Sequence, residues 1–415
     1  AFVPGPKGPG LGIEMTDKPA LKLKRLQDMT VKGKRVLVRV DYNVPMKGSK
    51  IEDNARIRET LKTLEHLIAE GGKLVLIAHL GRPKGKVEPK YSLKPVAAEL
   101  ARLLKKPVAF AEDCVGPVAE KAVAALKPGD VLLLENLRFH AEEEANDPAF
   151  AKALAKSGDV FIQDAFGALH RAHASTAGVT KHLPGAVGFL VQRELEFLDR
   201  VIGNPQRPFL AIIGGAKVSD KLVVLDKLLE RVDSLLIGGA MAYTFLAAQG
   251  INIGKSLLEK DQIDAAKAVI EKAYNKKVEI LLPADHLVVR EISADAATTV
   301  TQAMAIPPDM IGVDIGPHTI EFFTEHVSKS QTIFWNGPMG IFEMPAFAKG
   351  SNAVAEAMAA ATAKGAVTIV GGGDSLSVLA KTGLASKMSH CSTGGGASLE
   401  LLEGKALPGL VALAS

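Results

Sequence analysis

A chain of 415 residues exceeds what one hydrophobic core organises, so two domains are expected. With 47% hydrophobic and 23% charged residues it lies far from disordered compositions, and a formal charge of only +4 argues against nucleic acid as a general partner. Two cysteines, Cys114 and Cys391, without metal-type spacing argue against a disulfide framework or structural zinc and fit a reducing compartment.

Residues 1–20, opened by Ala1-Phe-Val-Pro-Gly-Pro-Lys-Gly-Pro-Gly, read as a flexible tail with neither the charged nor the apolar region of a secretory signal. Aliphatic runs at 35–40, 74–78, 131–134 and 160–162 then alternate with helical patterns at 57–69, 93–104 and 117–126, whose apolar residues recur every three and four. The pattern at 191–203 predicts a helix connecting two halves. The strand rhythm resumes at 209–213, 234–237, 279–282, 332–335 and 367–370. Alternation of this kind predicts the α/β class: two doubly wound, parallel-sheet, Rossmann-like domains separated by a cleft and joined by a hinge helix. The expected bounds are 21–190, completed by about 405–415, for the first domain and 204–404 for the second. The uncharged stretch 234–254 carries Gly238, Gly239, Gly250, Gly254, Gln249 and Asn252, which read as strand, glycine turn and helix, not as a membrane span.

Ligands of open α/β sheets bind beyond the carboxyl ends of the strands. In the first half those ends carry Arg39, Asp41 and Asn43, then His79-Leu-Gly-Arg82, Glu135-Asn-Leu-Arg138, and Asp164-Ala-Phe-Gly167 followed by His170-Arg171. Converging guanidinium groups hold phosphate or carboxylate oxygens in bidentate fashion, although a single such arginine is more often a surface ion pair. The second half carries glycine instead: Gly214-Gly215-Ala216-Lys217, Gly238-Gly239, Gly337-Pro-Met-Gly340 and Gly371-Gly-Gly-Asp374-Ser375. Loops without side chains bring backbone N–H groups close to a phosphate chain. Lys217 and Lys221, four apart, are expected to share a helix face there. Asp374 reads either as a helix N-cap or as a carboxylate for nucleotide-bound magnesium. The segment Gly250-Ile-Asn-Ile-Gly-Lys255-Ser256 has three residues between its glycines where a Walker A loop has four, and it reads as an ordinary loop. No Gly-x-Gly-x-x-Gly follows the first strand, which removes the main motif of a dinucleotide dehydrogenase.

From about 32 to 410 the chain resembles the phosphoglycerate kinase family. The strings that carry the resemblance are Arg39-Val-Asp-Tyr-Asn-Val-Pro45, His79-Leu-Gly-Arg-Pro83, Leu134-Glu-Asn-Leu-Arg-Phe139, Asp164-Ala-Phe-Gly167, Gly214-Gly-Ala-Lys-Val218, Trp335-Asn-Gly-Pro338, Gly371-Gly-Gly-Asp374 and Ser392-Thr-Gly-Gly-Gly-Ala-Ser398. Departures are mild: Tyr42 where Phe is common, Leu169 where Ala is, and Ser375 where Thr is. The resemblance implies that Asp41, Asn43, Arg56, His79, Arg82, Arg138, His170 and Arg171 hold the phosphoglycerate. It implies that Gly215, Ala216, Lys217, Lys221, Gly239, Gly312, Asn336, Pro338, Glu343, Gly373, Asp374 and Ser375 surround ADP or ATP, with Glu343 at the ribose and Asp374 orienting Mg2+. Arg56 and Lys217 are the expected catalytic pair. In the residues alone, Arg56 at a helix start reads equally well as solvated surface.

The implied reaction passes a phosphoryl group from 1,3-bisphosphoglycerate to Mg-ADP, giving 3-phosphoglycerate and Mg-ATP, in glycolysis, gluconeogenesis or carbon fixation. The expectation is a cytoplasmic monomer, or an organellar one after removal of a leader, with no nucleic-acid or membrane partner. Two other readings share these features. An ATP-dependent carboxylate ligase would need both sites plus an amine acceptor, and a nucleotide-binding regulatory protein would show no turnover.

Overall fold

The computed structural model describes residues 11–15 and 18–414. Tertiary contacts divide the chain into unit 1, which runs to Glu196 and takes in the chain from Lys405 onward, and unit 2, Phe197–Gly404. The boundary falls inside the helix Phe189–Ile202.

In unit 1 six parallel strands, β1 (Arg35–Val40), β2 (Lys73–Ile77), β3 (Val108–Ala111), β4 (Val131–Leu134), β5 (Val160–Asp164) and β6 (Gly185–Val187), lie in the order β6, β5, β1, β2, β4, β3. Successive side chains point to opposite faces of a strand, so β-branched and leucine runs build two cores at once. Val36, Val38, Leu74, Leu76, Leu133 and Ile162 bury on one face, and Leu37, Val75, Ile77, Leu132, Leu134 and Phe161 on the other. The helix Ala55–Ala69 covers the first face with Ile57, Thr60, Leu64 and Leu67, at helical spacing. Each such leucine contributes about 1.5–3 kcal/mol. The helix stops at Gly71, whose φ of +75° suits glycine, and Gly72 N–H closes the turn on Leu67 O at 3.0 Å.

In unit 2 the strands β7 (Phe209–Ile213), β8 (Ser234–Ile237), β9 (Glu279–Leu281), β10 (Thr332–Asn336), β11 (Val367–Gly371) and β12 (His390–Cys391) lie in the order β9, β8, β7, β10, β11, β12, all parallel. The sheet grows outward from β7 in one direction and then, from β10, in the other. The switch point of that order lies between β7 and β10, and their carboxyl ends carry Gly214 and Gly337. A smaller antiparallel sheet of His286–Val289, Thr299–Val300 and Ile311–Ile315 joins this unit; periodicity did not announce it. The stretch 234–254 is strand, Gly238-Gly239 and the helix Met241–Ala248, as expected, and no helix among the described residues is long and apolar enough to cross a membrane.

One expectation needs correcting at the amino terminus. Residues 1–10 of the predicted tail lie outside the described residues, but Leu11–Met15 and Lys18–Leu23 form an antiparallel pair. Leu23 is buried, and the helix Pro408–Ala414 packs on its strand. Reading the segment by its prolines and glycines overlooked this apolar anchor.

Candidate active site

The carboxyl end of β1 builds the first cluster. Arg39, the last residue but one of that strand, is wholly buried and donates to Ser175 Oγ at 2.9 Å, Val40 O at 2.5 Å and His79 Nδ1 at 3.0 Å. Asp41 and Asn43 follow in the loop. Asp41 accepts from Arg56 Nη1 at 2.5 Å, so the first turn of the helix Ala55–Ala69 delivers its arginine to the strand end. Asn43 Oδ1 accepts from Gly81 N at 2.8 Å, and Arg138 donates to Gly81 O at 2.9 Å, which ties the loops after β1, β2 and β4 together. Asn136 fixes the same corner by donating to Leu80 O and Tyr91 O at 2.7 and 2.9 Å. Arg171 donates to His170 Nε2 at 3.1 Å, and both Arg138 and Arg171 lie near Glu144.

Electrostatics make this one cluster. Burial pushes the His79 pKa well below its ordinary value, and the nearby Arg39, Arg138, Arg56 and His173 push it further. His173 is lowered to about 4, first by burial and then by Arg138, Arg39 and Arg171. Both rings are therefore neutral at neutral pH, and the positive charge of the cluster resides on arginine. Such an array binds an anion by guanidinium donors whose charge no ordinary pH removes. Of the expected residues only Arg82 stands apart: it is exposed and makes no hydrogen bond or ion pair among the described residues.

The second cluster sits at the switch point of unit 2. Gly214 N–H donates to Asn336 O at 2.9 Å, Gly215 N–H to Pro338 O at 3.1 Å and Gly239 N–H to Met339 O at 3.1 Å. Three loops thus lie backbone on backbone. A Cβ on Gly239 would stand 2.6 Å from Gly215 N and O, so no larger residue fits. Lys221 donates to Asn336 Oδ1, and burial lowers its pKa against the pull of Asp220 and Asp374. Ser375 Oγ accepts from Gly337 N at 2.7 Å, holding the head of the helix Gly373–Thr382 to the Gly337-Pro338 loop. Gly312 lies on the antiparallel sheet, where its N–H donates to Ser256 Oγ at 2.9 Å and a Cβ would strike Tyr243 Oη. Ala216, Lys217 and Glu343 are exposed.

Two local expectations are corrected here. Lys217 and Lys221 do not share a helix face, because the helix begins only at Leu222. The Glu259 carboxylate accepts from Val218 N at 2.5 Å and from Ser219 N and Oγ at 3.2 and 2.6 Å, holding the segment between the lysines as a loop. Asp374 is not the N-cap: Gly372 takes that position, with no side-chain cap bond. Sequence reasoning also passed over Glu143, Ser175 and His173, which pack behind Arg39 and His79. Among residues not expected at either site, Asp113, Cys114 and His140 bring their donor atoms within 4.8 Å of one another. Burial raises the Cys114 thiol well above its usual pKa, and His140 and Asp113 satisfy each other at 2.8 Å, so we read this trio as structural.

The family described as phosphoglycerate kinase matches this chain over residues 26–405. A phosphoglycerate kinase of Elusimicrobium minutum (strain Pei191) is 56% identical over 94% of this chain and 98% of its own, and one of Moorella thermoacetica is 55% identical over 94% and 98%. Among solved structures, a phosphoglycerate kinase from Coxiella burnetii superposes with a TM-score of 0.85 at 42% identity, and one from Pyrococcus horikoshii OT3 with 0.84 at 34%. Each covers 94% of this chain and 98% of its own.

Proposed function

The chain belongs to the phosphoglycerate kinase family, and from that premise we propose how its own residues divide the phosphoryl transfer. Its activity is that of a phosphotransferase with a carboxylate acceptor, converting 1,3-bisphosphoglycerate and ADP to 3-phosphoglycerate and ATP and back. Asp41, Asn43, Arg56, His79, Arg82, Arg138, His170 and Arg171 hold the phosphoglycerate in unit 1. Gly215, Ala216, Lys221, Gly239, Gly312, Asn336, Pro338, Glu343, Gly373 and Ser375 hold the nucleotide in unit 2. The observation that carries this division is that cations gather at the carboxyl end of one sheet while loops without side chains gather at that of the other.

The acceptor carboxylate is already deprotonated near neutral pH, so the reaction needs no general base. What remains is alignment and charge neutralisation of a group whose transition state spreads negative charge over three oxygens. Arg56 and Lys217 supply that charge. Asp374 is exposed, its side chain makes no hydrogen bond among the described residues, and it offers the hard oxygen that Mg2+ prefers, so it fits as the protein ligand of nucleotide-bound magnesium. When bound, that ion neutralises nucleotide oxygens.

A coupled assay of ATP formation from 1,3-bisphosphoglycerate and ADP tests the reading. Turnover independent of any amine acceptor is expected, whereas an amine requirement would point to a carboxylate ligase. We further read the enzyme as a cytoplasmic monomer, to be checked by sedimentation and cell fractionation.

A further inference from the structure

Around Arg39 every hydrogen bond has a fixed direction, because a guanidinium only donates. Nε donates to Ser175 Oγ at 2.9 Å, so the Ser175 proton must go elsewhere, and Glu143 Oε1 lies 2.5 Å from that oxygen. Glu143 Oε2 accepts from Ser175 N at 2.9 Å. Nη1 is engaged by Val40 O. Nη2 donates to His79 Nδ1 at 3.0 Å, which leaves Nδ1 without a proton and puts the ring proton on Nε2. The chain of donors therefore runs outward from Arg39 in both directions, with Glu143 as the terminal acceptor at one end and His79 at the other.

We propose that Glu143 and Ser175 are positioning residues for the phosphoryl transfer: through Arg39 they hold His79 as a neutral imidazole protonated at Nε2, a hydrogen-bond donor to the phosphoglycerate. This rests on the assignment of His79 to phosphoglycerate made above. Glu143 is 0% exposed although Glu142 and Glu144 on either side of it are exposed, so the short helix Ala141–Glu144 turns one acid of three inward. Its burial would be costly for a charge without a partner. The partner is Arg39, whose own burial needs a counter-charge, and Ser175 is the bridge that aims the guanidinium. The charged and titratable groups facing His79 are Arg39, Arg138, Arg56 and His173, all cationic or neutral, and none favours a second proton on the ring. His79 thus offers the anion a donor whose strength does not change through the physiological pH range, while the arginines carry the charge.

The direct measurement is a long-range proton–nitrogen spectrum of the full chain labelled at histidine, with His79 assigned by its loss in His79→Ala. The expected result is the neutral Nε2–H form from about pH 5 to 8. A protonated ring or the Nδ1–H tautomer in the unmodified protein overturns the proposal, and this arm does not depend on any variant folding. In Glu143→Gln and Ser175→Ala, the His79 tautomer should become mixed and KM for phosphoglycerate should rise roughly ten- to hundredfold, the range seen when partners that orient a ligating histidine are removed. KM for ADP should stay where it was. A folded variant that keeps both the tautomer and KM for phosphoglycerate overturns the proposal. If His79→Ala leaves phosphoglycerate affinity unchanged, the underlying assignment fails and takes the proposal with it, and the tautomer result then distinguishes that failure from a failure of the relay.

Discussion

Arg56 donates through Nη1 to Asp41 Oδ2 at 2.5 Å, joining the first turn of a helix to the loop that leaves the central strand of unit 1. Asp41 is nearly buried at 6% side-chain exposure and Arg56 is not, at 35%, so the carboxylate acts as an anchor and leaves the rest of the fork open. A lysine would keep the charge but lose the planar geometry that one carboxylate and one phosphoryl group can share. Arg56→Lys should therefore lower kcat by on the order of 10², as when a preorganised donor to developing charge is lost. Steady-state kinetics decides it: a variant with wild-type kcat removes Arg56 from the transfer step.

Lys217 offers a cleaner case, because it is exposed and its side chain makes no hydrogen bond or ion pair among the described residues. The loop around it is held by Glu259 through Val218 and Ser219. Lys217→Ala should reduce kcat by roughly 10² or more with an unchanged unfolding midpoint. Near-normal kcat would show that the charge at this position is not used.

Arg82 and Arg138 should separate binding from stability. Both variants to alanine should weaken phosphoglycerate binding and leave ADP affinity alone, as measured by calorimetry with each ligand in turn. Arg138 is buried and donates to Gly81 O, so its removal should also cost about 1–3 kcal/mol of folding stability. Arg82, exposed and unbonded, should cost almost none. Equal losses for ADP and phosphoglycerate would contradict the assignment of the two ligands to different units.

The strands that sequence reading missed in the two parallel sheets all lie at edges, whereas those it found are interior except for the edge strand Glu279–Leu281. The bounds of 35–40, 131–134, 209–213 and 234–237 were read as they stand, since all four strands have neighbours on both sides and their aliphatic runs are buried on both faces. Val108–Ala111, Gly185–Val187 and His390–Cys391 were passed over, and each is an edge strand with a single neighbour. Edges bury less and carry weaker patterns. The same logic applies to the clusters. Glycine loops and arginine strings advertise themselves, whereas Glu143 sits in an Ala141-Glu-Glu-Glu run that reads as a solvated face until burial singles out its third residue.

His286 sets a pH dependence of stability. Burial lowers its pKa from 6.5 to about 4, and its Nε2, facing the Met304 carbonyl at 3.1 Å, must carry the proton. In the unfolded chain it takes up a second proton at higher pH than in the folded one. Its contribution is therefore present above about pH 6.5 and is lost as pH falls through about 4, on the order of 3 kcal/mol in all. Asp164 and Asp314, both raised to about 7 chiefly by burial, act with the opposite sign: their contribution is present at low pH and lost as pH rises through about 7. Only a difference between proteins isolates the histidine. Urea midpoints of the wild type and His286→Gln should diverge least near pH 4 and most above pH 6.5, and parallel profiles would count against the assigned shift.

The last prediction concerns motion. In-line transfer needs the reacting oxygens within about 3–3.5 Å in a place from which water is excluded, while the residues proposed for phosphoglycerate belong to unit 1 and those proposed for the nucleotide to unit 2. The chain passes from one unit to the other within the helix Phe189–Ile202 and again after Gly404. We place the hinge in residues 194–200 together with residues 392–398, a turn that runs into the first residues of the helix Gly395–Leu402 and whose Ser392 and Ser398 hydroxyls meet at 2.5 Å. A ligand shifts a conformational equilibrium only by binding one state better than the other, and under the proposed assignment each substrate alone touches mainly its own unit. Both together should act most strongly. Small-angle scattering should then show little change in the radius of gyration with phosphoglycerate or a nucleotide analogue alone, and a clear decrease with both plus magnesium. An unchanged radius in enzyme shown to be active and saturated would sink the hinge.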